Sequence, residues 1–428
     1  MRPEASGRRT AAAARLLVAL LALVLAACGG YATRLAEVRG LAQAGAWEEA
    51  LAGMDPLVDR VMTRPRQRDR GSLPLLLLER AALRQATGDH GGAAVDFTEA
   101  DRMLEVLDMT GDPLGTAAEL LFSGSRSLYR PPMHEVVLVQ VSNVLSRLHT
   151  GDVQGAMVEA RRFEAFASFL QDKRDGEHPS LGLAWYVGGL AMEAGGDRSA
   201  ALRWYLRARE RIDAPGLDAA LVRLAAGSTL QNRGEIRDAR ERLGAQAEGL
   251  PAGHGELVLV ALTGLPPYRV PSTFPLGFMV ASFRDAGYDL PPDRQAALNR
   301  AIAEDLLTFV NFPELVVPVP AVWSVSARVG ARTVGLRPTT DVAEWALAWW
   351  ERMRPRIAIA AVSRALARVL AREAIQAGTR QADSPLVRTL GFIGSLVAQG
   401  ALTAADQPDT RNWSFMPARV WMQRTPLP

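Results

Sequence analysis

Residues 196–208 read GDRSAALRWYLRA, a glycine followed five residues later by Ala201, with Tyr205 and Ala208 continuing the spacing of a helix face. A glycine in this place tolerates the left-handed conformation that ends a helix, and a small alanine where two helices cross lets their axes approach. The same layout recurs in GAWEEALAGM from Gly45, GDHGGAAVDFTEA from Gly88, GDVQGAMVEA from Gly151 and GEIRDARERL from Gly234. The alanines of these four stretches are Ala50, Ala93, Ala156 and Ala239, and in the Gly88 stretch Phe97 and Ala100 repeat the aromatic-then-alanine anchors. Each stretch follows an apolar segment of helical period, so the expected unit is a helix, a glycine turn and a second helix.

This layout resembles the tetratricopeptide pattern, which implies a helical solenoid. The uneven spacing of the units predicts a degenerate solenoid with insertions, residues 63–72 and 123–132 forming its longer loops. An irregular helical bundle is the alternative.

From PAGHGELVLVALTGLPPYRVP onward the pattern changes. Leu257 to Leu262 is a short continuous apolar run, consistent with a buried strand. Trp323, Val325, Ala327 and Val329 alternate with Ser324, Ser326 and Arg328, and the Gly330-Ala331 pair leads into Arg332–Leu336 as a hairpin. Ala418–Arg424 is a last strand, and helices are expected over Asp293–Val310, over Asp341–Gln376 with an interruption at Pro355, and over Leu386–Gln399. The fold class is therefore α+β, with a helical repeat domain over 28–250 and a mixed α/β domain over 251–428.

The first 27 residues carry Arg2, Arg8, Arg9 and Arg15 against one acid, Glu4, followed by the apolar stretch Leu16–Ala27. This is the layout of an export signal, too short to span a bilayer. It is followed by Cys28, the single cysteine of the chain. Leu25-Ala26-Ala27-Cys28 resembles the lipobox of bacterial lipoproteins, which implies cleavage after residue 27 and acylation of Cys28. Gly29 stands where an aspartate favours inner-membrane retention in enteric lipoproteins, so the expected location is the outer membrane, facing the periplasm. Without a second cysteine the fold has no disulfide to rest on.

The chain holds 49 basic and 46 acidic residues, and without residues 1–27 the two counts become equal. A neutral body lacks the positive field that phosphate binding requires, which argues against a nucleic-acid partner. Phosphate-loop chemistry is excluded as well, because the only lysine, Lys173, lies in FLQDKRDG. His134-Glu135 begins like a zinc-protease helix, but Leu138 stands where the second histidine belongs, leaving a polar helix start after Pro131-Pro132. No Gly-x-Ser-x-Gly elbow occurs and the five histidines are scattered. The expectation is a non-enzymatic protein without metal or cofactor.

Taken together, GDVQGAMVEARR, GELVLVALTGLPP, VVPVPAVW, SRALAR and DTRNWSFMPARVWMQR are similar to a family of uncharacterised bacterial lipoproteins with tetratricopeptide-like repeats and a C-terminal α/β domain. That resemblance carries an Asp-x-Arg-x-Trp pattern onto Asp409, Arg411 and Trp413, followed by Pro417 and Arg424. Asp409, Arg411 and Trp413 form either a recognition site or a lock holding the C-terminal segment by an ion pair and a buried ring. Arg364, Arg368 and Arg372 recur every fourth residue, a stripe that meets lipid phosphates or an acidic partner, or is a solvated face. The leading expectation is an envelope lipoprotein, held to the membrane by its lipid, whose solenoid scaffolds a protein partner in cell-wall or outer-membrane assembly. The alternative is a ligand-binding protein or enzyme with its site in the C-terminal domain or the inter-domain cleft.

Overall fold

The computed structural model describes residues 31–63, 71–109, 129–171, 180–244, 250, 253–304 except 286, 288 and 291, 309–380 and 408–427. Residues 1–27, Cys28 and the segment 386–399 lie outside them. The described chain is α+β, with a helical N-terminal part followed by antiparallel strands.

Ten helices come first: α1 (Tyr31–Gln43), α2 (Trp47–Thr63), α3 (Leu73–Ala86), α4 (His90–Met109), α5 (Met133–His149), α6 (Val153–Gln171), α7 (Leu181–Ala194), α8 (Arg198–Arg209), α9 (Leu217–Ala225) and α10 (Gly234–Leu243). They form five hairpins, each packed on its neighbours along the chain, as in a solenoid. Ala50, Ala93, Ala156, Ala201 and Ala239 are all fully buried, each at the crossing its spacing announced.

The turns are built by two residues in succession. Gly45, Gly88, Gly151 and Gly196 have φ between +77° and +87°, and after Gly45, Gly151 and Gly196 the N–H of the next residue closes the helix end. Asp152 N–H donates to the Arg147 carbonyl and Asp197 N–H to the Met192 carbonyl, both at 2.9 Å. Their carboxylates then cap the next helix: Asp152 Oδ1 accepts from Gly155 N–H at 2.9 Å, Asp197 Oδ1 from Ala200 N–H at 2.9 Å, and Asp89 Oδ1 from Gly92 N–H at 2.8 Å. The Gly-Asp pair thus stops one helix and starts the next. Gly234 differs from the expectation: it opens α10, and Gly227, with φ +74°, follows α9 instead. The fifth unit keeps the buried alanine without the glycine in register.

In the first helices of the second, third and fourth units burial runs right round, whereas α1 and α9 keep a face toward solvent. Every residue from Leu181 to Met192 of α7 is buried, as are Pro74–Ala81 of α3 and Val137–Val144 of α5. Such helices require cover on their inner face as well as from their hairpin partners. On the outer side, α7 and α8 interlock through glycine and aromatic rings: a Cβ on Gly188 would lie 1.9 Å from the Trp204 ring, and Trp185 meets Trp204 edge-on with centroids 4.8 Å apart.

The inner cover comes from the C-terminal part. Its elements are β1 (Gly255–Thr263), β2 (Tyr268–Pro275), α11 (Leu276–Asp285), α12 (Pro292–Ala303), β3 (Phe309–Val316), β4 (Val325–Val329), β5 (Arg332–Asp341), α13 (Val342–Arg380) and β6 (Arg419–Leu427). A four-stranded antiparallel sheet has the order β1-β6-β5-β4. Val420 and Met422 of β6 and Trp413 share one hydrophobic core with the helices, against which Val258, Val260 and Leu262 of β1 also pack.

A second core lies among the β2–β3 ribbon, α11, α12 and α13, with Phe312, Leu298, Trp350 and Val362 at its centre. Pro271 and Pro313 face each other across that ribbon, a position open to proline because the ribbon has only two strands. The expected helix Asp293–Val310 is shorter: α12 ends at Ala303 and Val310 is a buried residue of β3, paired with Phe274. Alternation of Phe309, Val310, Asn311 and Phe312 between exposed and covered positions outweighs the helical period there. Conversely α13 runs through Pro355 without a break, its packing against α11, α12 and β3 offsetting the hydrogen bond that proline removes.

Candidate functional site

Asp409, Arg411 and Trp413 come together on a segment that runs across the helices before entering β6. Asp409 receives two bonds from the Arg411 guanidinium, at 2.9 and 2.7 Å, and Arg411 is 2% exposed. Arg411 Nη1 also donates to the Gly71 carbonyl at 3.3 Å. Burial opposes ionisation of Asp409, but the Arg411 guanidinium more than compensates and holds its carboxyl below the usual aspartate range. Trp413 is fully buried with its ring edge-on to Phe97, 5.8 Å between centroids.

The backbone of the same segment is tied down by two acids, Glu79, which the sequence analysis did not single out, and Glu135, which it read as part of a polar helix start. Glu79, fully buried on α3, accepts Ser414 N–H at 2.8 Å and Phe415 N–H at 3.0 Å. Glu135, buried at the start of α5, accepts from the Tyr129 hydroxyl. Burial raises the Glu135 carboxyl to about 7, against the opposing pull of the Tyr129 hydrogen bond, Arg269 and the Trp413 backbone. The His134-Glu135 pair does begin a helix after Pro131-Pro132, but both side chains are enclosed where a polar helix start would be solvated. A signal existed for Glu79: an acid inside the run PLLLLERAAL is a polar group in an apolar helix.

Beyond Trp413 the molecule opens into a cleft of about 1210 Å³ between the helices and β1. One wall is the C-terminal turns of the inner helices: Ala82, Gln85 and Ala86 of α3, Leu145, Leu148 and His149 of α5, Leu190 and Ala194 of α7. The other is β1, with Trp413, Phe415 and Pro417 beside it.

At one end stands a charged quartet of two arginines and two glutamates. Arg424 Nη2 donates to Glu193 Oε2 at 2.6 Å, Arg424 Nε lies 2.9 Å from Glu256 Oε2, and Arg223 Nη2 reaches Glu256 Oε2 at 3.2 Å. The Tyr205 hydroxyl adds a bond to Glu193 at 2.7 Å. Burial disfavours the Arg424 charge, but Tyr205, Tyr186, Glu193 and Glu256 together hold it above the usual arginine range. Elsewhere on the wall His90 stacks on His149 with ring centroids 3.8 Å apart, and burial, followed by the His149 charge, lowers the His90 pKa.

The cleft is thus mainly apolar, with Gln85, His90 and His149 interrupting its helical wall, electrically balanced at one end, and capable of holding a neutral or apolar body. Among the described residues no three His, Cys, Asp or Glu side chains cluster as metal ligands. Of the residues singled out from sequence, Trp413, Pro417 and Arg424 line the cleft. Arg364 is away from it, half-buried on α13 beside Val362 and Leu366 of the second core, and the side chains of Arg368 and Arg372 lie outside those described. No known protein family matches the chain, and no curated protein matches it significantly.

Proposed function

We propose that this chain is a lipid-anchored lipoprotein of the bacterial cell envelope, on the outer membrane facing the periplasm, that binds a partner in the cleft between its helical repeat and its C-terminal sheet. The reading is of a non-catalytic scaffold with a protein partner, neither nucleic-acid-binding nor dependent on a cofactor. The observation that carries it is the cleft itself, a mainly apolar space of about 1210 Å³ whose charged side chains pair with one another. Val322 lines the cleft, and Val319 and Trp323 on the same connection are exposed. Anchoring is supported by the sequence Leu16–Ala27 followed by Cys28.

Two measurements test the reading. Leu145→Trp, which adds a large ring to the cleft wall, is expected to lower binding of the apolar dye anilinonaphthalene sulfonate at least fivefold with the folding transition preserved; dye binding equal to that of the parent chain removes the cleft as a site. Cys28→Ser is expected to move the protein from the membrane to the soluble fraction, since each buried methylene of an acyl chain contributes about 0.8 kcal/mol. A serine variant that keeps its place in carbonate-washed membranes, with its leader removed, refutes the lipid anchor.

A further inference from the structure

Strand β1 is apolar without interruption from Leu257 to Leu262, the composition of a strand covered on both faces. In the fold none of those six side chains is buried; all are half-exposed, whereas Val420, Trp421 and Met422 on the neighbouring β6 are enclosed. β1 is therefore covered only in part, Val258, Val260 and Leu262 packing against the helical core without any of the six being enclosed.

The missing cover lies on the side of the cleft. β1 pairs with β6 along its whole length, and among the described residues no strand pairs with its other edge. Residues of both its faces line the cleft, Val258 and Val260 on one and Leu259 on the other, so the free edge borders that space. Alternate residues of an antiparallel strand direct their N–H and C=O groups to such an edge.

The opposite edge of the same sheet is guarded in the ordinary ways: β4 has five residues and carries the exposed Arg328. β1 has nine residues, no proline, no register shift, and no charge after Glu256.

We infer that the occupant of the cleft, if the cleft is the binding site proposed above, is an extended polypeptide strand that pairs with the free edge of β1 and adds a fifth strand to the sheet. An alkyl chain fills the apolar volume but leaves the strand edge dry and unpaired. A helix satisfies its own backbone and has nothing to offer the edge. A strand meets both demands, because its backbone continues the ladder while alternate side chains enter the space bounded by Leu145, Leu148 and Leu190. Since the quartet at the Glu256 end is balanced, the favoured segment is apolar at alternate positions and carries no net charge there.

The test uses the full chain and a set of fluorescein-labelled ten-residue peptides that alternate Val, Ile, Leu or Phe with Thr, read by anisotropy. Binding is expected, weakened at least tenfold by Leu145→Trp. For the best peptide, N-methylation of one alternate set of residues is expected to weaken binding at least tenfold, while methylation of the other set leaves it within threefold. That two-residue period reports backbone pairing on one edge only. Equal tolerance or equal loss in the two methylated forms overturns the strand. So does displacement of the apolar dye by palmitate with no binding of any peptide, an outcome that leaves the cleft as a site. If the dye also fails to bind, the cleft reading falls together with the inference.

Discussion

Replacing Arg411 by alanine is expected to lower the unfolding free energy by about 3 kcal/mol, measured as a fall in the urea midpoint. The guanidinium is almost wholly enclosed, bonded twice to Asp409 and once to the Gly71 carbonyl. Removing it strands a carboxylate that the fold holds ionised. The effect belongs at the low end of what breaking a buried pair costs, because a third of the Asp409 side chain still reaches water. Arg411→Lys restores a charge without the two-pronged contact, so it should recover only part of the loss. An unchanged midpoint for Arg411→Ala would show that the segment is held without this pair, leaving Glu79 and Trp413 as its anchors.

Glu135→Gln is expected to act in the opposite direction at alkaline pH. The Glu135 carboxyl titrates near 7 in the fold against 4.5 as its ordinary value, so the folded state prefers it protonated. The stability this lends is complete below pH 4.5 and is lost as pH rises through 7, where the chain must hold a charge in a dry place beside Glu79. A displacement of this size corresponds to about 3 kcal/mol between pH 4.5 and 8. Glutamine keeps the shape, and its carbonyl oxygen still accepts from the Tyr129 hydroxyl. Urea titrations at pH 5 and pH 8 should therefore show the parent chain weakening and the glutamine variant changing much less. Parallel behaviour of the two proteins would assign the proton elsewhere.

The sequence alone determined the helical repeat and most strands of the sheet, because those depend on neighbours a few residues apart. Gly151 and Gly196 ended helices as their spacing said, the five alanines fell on helix crossings, and the Leu257–Leu262, Val325–Val329 and Ala418–Arg424 patterns became β1, β4 and β6. Short-range rules failed where two periods competed, as at Val310, and where packing overrode a proline, as at Pro355. Only the tertiary structure decided that the segment around Trp413 lies inside the helices, that Glu79 and Glu135 face it, and that β1 is left half-covered beside a cleft. Arg411 meets Gly71 across 340 residues and Ser414 meets Glu79 across 335. Contacts of that span leave no local period to read, since their residues are chosen by burial and charge balance at a place that exists only once the chain has closed on itself.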